Sequence, residues 1–434
     1  MKKVNVILDA TASHNDDLTL CPDANLYTGK KEFKELFGKL SSLEEDILNL
    51  AAIIFGTDLA IKRGEQEKIT RNIEITIPVV NLPTFRQVSD DISYALYILS
   101  HDAWKLNFVQ SPGFPEPINN WKTKNSGKVL LFSGGLDSFA AAVNFADSGH
   151  ELHLVSHVTA NQVISKTQQN LYSYLNQIYP NQFNRDTFRV SGIDKSNKGL
   201  KFPSDKEREE TQRTRSFMFL SLASLVARRR GIQDVVMIAE NGQMAIHLPL
   251  SAGRISAFST HTAHPDFIAL MSKIMSTILN YQIIIENPFL YKTKAEVVKF
   301  LFPTHELIID QTVSCWKASR VSKYNHCGIC VPCLIRRIAL EKNNCSINEY
   351  AKDLFRENVL ELRSDDDGKR NLIELCEFIN TFSQNRSFTE MEKFYPELVS
   401  EHFDAKQTVA MYQRFSTEAI SVFQNYPQVM KLLE

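Results

Sequence analysis

The sequence lacks several features that would place the protein in a membrane or outside the cell. Its 434 residues contain no apolar run of about 18 residues and no basic segment followed by an apolar leader. Lysine and arginine total 49 against 50 acidic residues, so the net charge of −1 creates no overall field for nucleic acid. We therefore expect a globular cytoplasmic protein with no membrane contact. We do not expect nucleic acid as its direct substrate, although a local basic patch would still be compatible with RNA.

Cysteine is scarce and unevenly distributed. The chain has 7 cysteines, none of which lies between residues 22 and 314, and four of which fall within 315–333. An odd number clustered in this way argues against a disulfide framework and for a metal site in a reducing compartment. Cys315, Cys327, Cys330 and Cys333 include two overlapping C-x-x-C steps, and four thiolates are the usual ligands of a structural Zn²⁺ ion. An iron–sulfur cluster and a redox dithiol are the rival interpretations.

The chain also lacks a Walker A loop, because no Gly-Lys-Ser/Thr follows its glycine pair. The hexapeptide 133–138 instead reads Ser-Gly-Gly-Leu-Asp-Ser, between an apolar run that predicts a strand and one that predicts a helix. Glycines allow the backbone to approach a ligand, and a helix start offers free N–H groups to an anion. The pattern S-G-G-x-D-S is the signature of PP-loop ATP pyrophosphatases. The ATP-binding residues that it predicts are Ser133, Gly134, Gly135, Leu136, Asp137 and Ser138, with Asp137 holding Mg²⁺ or fixing the loop.

Three regions are predicted along the chain. Residues 1–120 read as a separate α/β domain, in which a helix begins near 42 with Ser42 and Glu45 spaced as in a capping box. Residues 126–345 alternate strands and helices, which predicts a doubly wound parallel sheet with helices on both faces. Residues 346–434 are helical in pattern. The strands predicted for the central region are 128–132, 151–156, 186–190, 234–239 and 282–286.

The two motifs, with two intermediate segments, resemble the QueC family of 7-cyano-7-deazaguanine synthases. Residues 215–221 (Arg-Ser-Phe-Met-Phe-Leu-Ser) look like the family's R-N-x-x-F-L-S helix, with Ser216 where asparagine is usual. Residues 287–298 look like its P-L-x-x-x-T-K-A-E-I-V segment. The resemblance covers about 126–340. It implies an adenine nucleotide alpha hydrolase-like fold, ATP as co-substrate with Mg²⁺, and adenylation of a carboxylate.

The departures from the family pattern are equally informative. Residues 157–162 and 259–267 differ from the corresponding segments of the housekeeping enzymes, and the chain carries additional regions at both ends. In these respects it is similar to the longer QueC-like proteins of anti-phage defence clusters, such as QatC and the QueC-like component of some CBASS systems. That resemblance implies that 7-carboxy-7-deazaguanine is joined to an amine of a partner protein, which we expect residues 1–120 to bind.

Several residues receive roles from this resemblance and from their chemistry. Asp137, Ser138, Lys294 and Arg215 are the expected catalytic residues, the two cations neutralising charge on the phosphates. Glu240 and Asn241 follow a predicted strand and could read the donor edge of a guanine-like base. Arg254 could pair with the substrate carboxylate, and Thr260, His261 and His264 could contact substrate or phosphate. For Lys294, a solvated position at a helix start is the alternative, and for Arg215 a surface salt bridge.

Other functions remain open at this point. The closest alternative is synthesis of the nitrile 7-cyano-7-deazaguanine with ammonia. A tRNA-thiolating PP-loop enzyme would need catalytic cysteines near the ATP site, whereas the clustered cysteines here have zinc spacing. A non-catalytic subunit that retained the fold is disfavoured by the intact hexapeptide.

Overall fold

The computed structural model of the chain describes residues 2–8, 18–63, 70–116, 118, 127–158, 162–194, 199–232, 236–251, 261–318, 324–346, 350–384 and 386–433. Its strands are β1 (Lys2–Val6), β2 (Leu18–Leu20), β3 (Leu26–Thr28), β4 (Asn72–Val79), β5 (Ala103–Gln110), β6 (Lys128–Leu131), β7 (Leu152–His157), β8 (Phe183–Phe188), β9 (Val190–Gly192), β10 (Val236–Met237) and β11 (Ile285–Glu286). Its helices are α1 (Lys30–Phe37), α2 (Ser42–Ala60), α3 (Leu82–Gln87), α4 (Ser89–Ser100), α5 (Leu136–Asp147), α6 (Gln162–Ile178), α7 (Arg215–Arg230), α8 (Gly242–Ile246), α9 (Pro265–Leu279), α10 (Lys294–Val298), α11 (Glu306–Ile309), α12 (Val331–Lys342), α13 (Asp367–Ser383), α14 (Phe388–Phe394), α15 (Ala405–Phe423) and α16 (Pro427–Met430).

The central sheet is parallel, with the strand order β11-β10-β6-β7-β8. Its middle strand β6 alternates between two hydrophobic clusters. Val129 and Leu131 pack in the cluster that contains residues of α7, whereas Leu130 packs in the one that contains residues of α5. Both faces of the sheet are therefore covered by helices, which confirms the predicted doubly wound α/β fold.

The N-terminal region contains a second parallel sheet, with the strand order β2-β1-β4-β5. In β4 the apolar side chains at 73, 75, 77 and 79 are buried, as its period-two pattern predicts. The capping box of α2 differs from the prediction by one residue. It joins Ser41 and Glu44 rather than Ser42 and Glu45, because the helix starts at Ser42 and Ser41 is therefore its N-cap.

The N-terminal region and the central sheet share one hydrophobic core. Helix α2 is buried on nearly all sides, as expected of a helix that is apolar all round. The same cluster contains side chains of α2, β4, α7 and β6. The N-terminal region is therefore packed against the central sheet through α2 and α7. The domain boundary at residue 120 stays a prediction.

The C-terminal region is helical, as predicted, and it packs on α12. Helix α15 also contacts the start of α10. The Thr293 hydroxyl donates to Glu418 at 3.0 Å, and Arg414 donates to Glu296 at 2.8 Å. Across the part of the chain that the structure describes, no helix is both long and apolar enough to cross a membrane.

Candidate active site

The PP-loop joins the carboxyl end of β6 to the start of α5. Gly134 adopts φ of +82°, a conformation that favours glycine. The N-cap residue Gly135 offers no side chain to the first N–H groups of α5, so these donors can take an anion. The hydroxyls of Ser133 and Ser138 lie 3.2 Å apart at the loop. The hexapeptide thus forms a cradle of backbone and hydroxyl donors at the edge of the sheet.

Two other segments hold this loop in place. The Gln168 amide donates to the carbonyls of Phe132 and Ser133 at 3.4 and 3.3 Å. On the other side, the Val313 N–H donates to the Gly134 carbonyl at 3.1 Å. The loop is therefore braced both by α6 and by the segment that leads to Cys315.

Asp137 and Lys294 form a buried ion pair beside the loop. The Lys294 ammonium donates to Asp137 Oδ1 at 2.8 Å, and both residues are below 10% exposed. Asn241 donates to Asp137 Oδ2 through its side chain at 2.9 Å and through its backbone N–H at 3.3 Å. Both oxygens of the carboxylate are thus fixed by donors from two other segments. Burial of this pair distinguishes Lys294 from a solvated lysine at a helix start.

Lys294 owes its position to the first turn of α10. Thr293 and Glu296 form a capping box there, and the Lys294 backbone N–H donates to Gln243 Oε1 at 2.8 Å. Asn241 is fully buried, and its Oδ1 accepts from the Met244 N–H as the N-cap of α8. Both ends of its amide are therefore engaged within the protein, and its predicted contact with substrate stays a prediction.

Glu240 and Arg215 lie near this pair, close enough for the charges of Asp137, Lys294 and Arg215 to act on Glu240. We call the region around these four groups and the PP-loop the cleft. Glu240 follows β10 and is half-buried, whereas Arg215 starts α7 and is exposed. Burial raises the pKa of Glu240 to about 7, with a further contribution from the charge of Asp137 and opposing contributions from Lys294 and Arg215. Two carboxylates and two cations therefore meet at the carboxyl ends of the strands, where such sheets bind ligands.

The remaining residues predicted to bind substrate are placed differently. Arg254 and Thr260 lie outside the described residues. His264 caps α9 through its Nδ1, which accepts from the Asp266 N–H at 3.3 Å. His261 packs against the rings of His264 and His101, with centroids 5.1 and 5.5 Å apart, and burial lowers its pKa to about 2. These ring contacts link His261 to the N-terminal region, and roles of both histidines toward substrate stay predictions.

The four clustered cysteines converge on one point. Their sulfur atoms all lie within 4.8 Å of one another, and all four residues are buried. The sulfurs of Cys327 and Cys333, and those of Cys315 and Cys330, are 3.9 Å apart. A tetrahedral Zn²⁺ ion with Zn–S bonds of about 2.3 Å separates its ligands by about 3.8 Å. The cluster therefore fits a closed structural zinc site.

The surroundings of the cluster support that assignment. Backbone N–H groups of Lys317 and Cys327 donate to the Cys315 sulfur at 3.2 and 3.4 Å, an arrangement that stabilises a thiolate. Gly328 has φ of +78°, and a Cβ there would lie 1.9 Å from the Lys352 carbonyl oxygen. The turn between the first two ligands of the C-x-x-C steps thus requires glycine.

Sequence reasoning missed the residues that support these groups. Arg336 is fully buried and donates to the Thr312 hydroxyl and the Ile309 carbonyl at 2.8 Å each, directly before the segment that contacts the PP-loop. Gln168 and Asn287 likewise bond to backbone groups near the site. These bonds join residues far apart in the chain, so no local sequence pattern predicts them.

Comparisons with known proteins agree with this geometry. The family model described as "Queuosine biosynthesis protein QueC" matches residues 127–344, half of the chain. A 7-cyano-7-deazaguanine synthase of Sulfolobus acidocaldarius is 27% identical over 241 residues, which cover 51% of this chain and 47% of that protein. The synthase of Saccharolobus solfataricus is 28% identical over 243 residues, with the same coverage of 51% and 47%. That of Clostridium acetobutylicum is 23% identical over 169 residues, 38% of this chain and 64% of the relative.

The match thus spans about half the length of the two archaeal relatives. The matched residues include the PP-loop, Lys294 and all four clustered cysteines. The fold, the loop and the cysteine cluster therefore agree with the comparison: the chain belongs to the QueC family.

Proposed function

We propose that this protein uses ATP to convert the carboxylate of 7-carboxy-7-deazaguanine into an acyl adenylate. It then joins the acyl group in amide linkage to an amine of a partner protein, within an anti-phage defence system. A carboxylate is a poor electrophile at neutral pH, and the mixed anhydride with AMP supplies a good leaving group. The observation that carries the proposal is the buried Lys294–Asp137 pair beside the uncapped start of α5.

In the first step, a substrate carboxylate oxygen attacks the α-phosphorus of ATP, and the bond to pyrophosphate breaks. The N–H groups of residues 134–138 and the hydroxyls of Ser133 and Ser138 would hold the departing pyrophosphate. Lys294 and Arg215 would offset its developing charge. Mg²⁺ accompanies ATP in such reactions, and Asp137 is the carboxylate at the loop to which it would bind. The four cysteines would hold Zn²⁺ in a structural role.

The proposal also identifies the acceptor of the acyl group as an amine of a partner protein. Regions outside residues 127–344 contact the starts of the two helices that carry the proposed cations. Asp58 of the N-terminal region bonds to Thr214, directly before Arg215. Glu418 of the C-terminal region bonds to Thr293, directly before Lys294. A region that fixes active-site helices is suited to couple partner binding to catalysis. We therefore propose that the partner binds the N-terminal region and presents its amine at the cleft.

The second candidate is synthesis of 7-cyano-7-deazaguanine with ammonia as the nitrogen donor. It is favoured by the similar proteins of the three organisms named above, which are 7-cyano-7-deazaguanine synthases. Both candidates share the adenylation step and differ in the acceptor. A non-catalytic subunit or a tRNA-modifying enzyme would not form an adenylate of the deazaguanine carboxylate.

Mass spectrometry tests the proposal. The protein is incubated with ATP, Mg²⁺ and 7-carboxy-7-deazaguanine, with ammonia or with purified products of neighbouring genes. A neighbour protein that gains the mass of the acylated base supports protein ligation, whereas a nitrile formed with ammonia alone supports the second candidate. Asp137→Asn should abolish either product. Asp147→Asn, at the other end of α5, where the side chain accepts from Tyr179, is the matched control.

A further inference from the structure

Glu240 is held by its backbone while its carboxylate is left unused. The Asn287 side chain donates to the Glu240 carbonyl at 2.7 Å and accepts from the Glu240 N–H at 3.2 Å. The same Asn287 oxygen accepts from the Phe289 N–H at 3.0 Å. Within the described ranges, the Glu240 carboxylate has no hydrogen-bond or ion-pair partner. Its position at the cleft is thus fixed, and its oxygens remain available to a ligand.

The neighbouring acid is in the opposite situation. Asp137 uses both of its oxygens, one for Lys294 and one for Asn241. Because both oxygens already accept hydrogen bonds, this carboxylate is suited to hold the Lys294 ammonium in place and poorly suited to accept a proton from a substrate. Of the two carboxylates at the cleft, Glu240 is therefore the one whose geometry permits proton transfer.

The charged groups around Glu240 suit it to this task at neutral pH. Asp137, Lys294 and Arg215 are the groups whose charges act on it, and its pKa of about 7 reflects burial and Asp137 against the two cations. A general base works best when its pKa lies near the operating pH. An ordinary surface glutamate would be a much weaker base.

We propose that Glu240 is the general base of the second step, the attack of the amine on the acyl adenylate. This inference rests on the proposed function. The amine nitrogen forms a bond to the acyl carbon, and the bond from that carbon to the AMP oxygen breaks, so that AMP leaves with the electron pair. The proton lost by the nitrogen passes to the Glu240 carboxylate. The role is the same for a protein amine and for ammonia.

The competing role for Glu240 is recognition of the donor edge of the base, which would act in the first step as well. The two half-reactions separate these roles. Exchange of labelled pyrophosphate into ATP, dependent on 7-carboxy-7-deazaguanine, reports adenylation alone. Formation of the amide with methylamine, or of the hydroxamate with hydroxylamine, reports acyl transfer. Hydroxylamine is largely unprotonated at neutral pH and is a strong nucleophile, so it needs little help from a base.

The variants are Glu240→Gln, Glu240→Asp and the control Glu286→Gln, an exposed glutamate that ends the neighbouring strand β11. Glu240→Gln should keep pyrophosphate exchange and hydroxamate formation within about threefold, yet lower amide formation with methylamine about 100-fold. When the amide-forming rate is expressed per concentration of unprotonated methylamine, Glu240→Gln should also remove the rise around pH 7 that we expect of the unaltered protein. Glu240→Asp should restore part of the rate and the pH dependence.

Four results would overturn the inference. A KM for 7-carboxy-7-deazaguanine that rises at least about tenfold in the exchange assay of Glu240→Gln would assign the residue to substrate recognition. Unchanged amide formation, or equal losses with methylamine and hydroxylamine, would exclude a base. An unaltered protein without any exchange would refute the proposed function itself, and this inference with it.

Discussion

The carboxylate of Asp58, near the end of α2, accepts from both the backbone N–H and the hydroxyl of Thr214, at 2.9 and 3.2 Å. Thr214 is the residue directly before Arg215, the first residue of α7. At the opposite ends of the same two helices, Glu44 of α2 pairs with Arg229 of α7. The two helices are thus joined at both ends by buried polar contacts, and the N-terminal region fixes the start of the helix that carries a proposed catalytic cation.

The Glu44–Arg229 pair predicts a large effect on stability. Glu44→Gln would leave the Arg229 guanidinium buried without its counter-charge, which typically costs about 3–5 kcal/mol. Urea unfolding measures the difference. The next residue supplies the control, because Glu45 pairs with Lys34 at 3.3 Å where both side chains are about half exposed. Glu45→Gln should cost less than about 1 kcal/mol, and equal losses would show that the buried pair contributes nothing special.

Both the PP-loop and the cysteine cluster could be predicted from the sequence, because each is a contiguous or nearly contiguous pattern with a chemical reason for its spacing. The prediction for the capping box of α2 was wrong by one residue, because the run Ser41-Ser42-Leu43-Glu44-Glu45 satisfies the spacing in two registers. Local sequence cannot choose between them. The packing of α2 decides, since Glu44 must lie in the core to meet Arg229.

The shared core could not be predicted. Residues 111–117 have the proline and glycine content of a linker, which favours the predicted boundary near residue 120 but carries no signal of the packing between α2 and α7. Contacts such as Asp58 to Thr214 join residues 156 positions apart. Neither residue carries a local signal of its partner, so such pairs emerge only from the folded chain.

Gly134 supplies a prediction at the loop itself. A Cβ there would lie 3.1 Å from Thr167 Cγ2 and would have to adopt φ of +82°. Gly134→Ala should therefore displace the loop and abolish pyrophosphate exchange. Gly149, just beyond the other end of α5, has φ of +78° with nothing within 4 Å of an added Cβ.

The comparison of these two glycines separates strain from crowding. Gly149→Ala should cost about 1 kcal/mol of stability through its backbone conformation alone and leave exchange intact. Gly134→Ala should lower the stability by more than Gly149→Ala does and should abolish pyrophosphate exchange. Full activity in Gly134→Ala would show that the close contact with α6 does not define the loop.

The cysteine cluster predicts bound zinc that contributes to folding. Cys330→Ser removes one of four thiolates and should release the metal and lower the thermal unfolding temperature, because structural zinc binding adds directly to folding free energy. Elemental analysis and calorimetry check both effects. Cys376→Ser is the control, since Cys376 is equally buried but lies in the helical C-terminal core. Zinc retained at wild-type content in Cys330→Ser would contradict the four-cysteine site.

Glu240 predicts a pH dependence of stability whose sign follows from its pKa. The folded protein raises that pKa from 4.5 to about 7, so between these values the folded state binds a proton that the unfolded state has released. The stability of the unaltered protein should therefore be greatest, as far as this group is concerned, below about pH 4.5 and should fall as the pH rises through about 7.

The measurement is the difference in unfolding free energy between Glu240→Gln and the unaltered protein, taken from pH 5 to pH 8. Contributions of other titrating groups cancel in that difference. The amide does not ionise, so the variant should gain on the unaltered protein as the pH rises, by about 1 kcal/mol at pH 8 after allowance for screening by water at this half-buried position. Glu286→Gln controls for the substitution itself. A difference that stays constant with pH would mean that Glu240 titrates as an ordinary glutamate and that the cleft does not tune it.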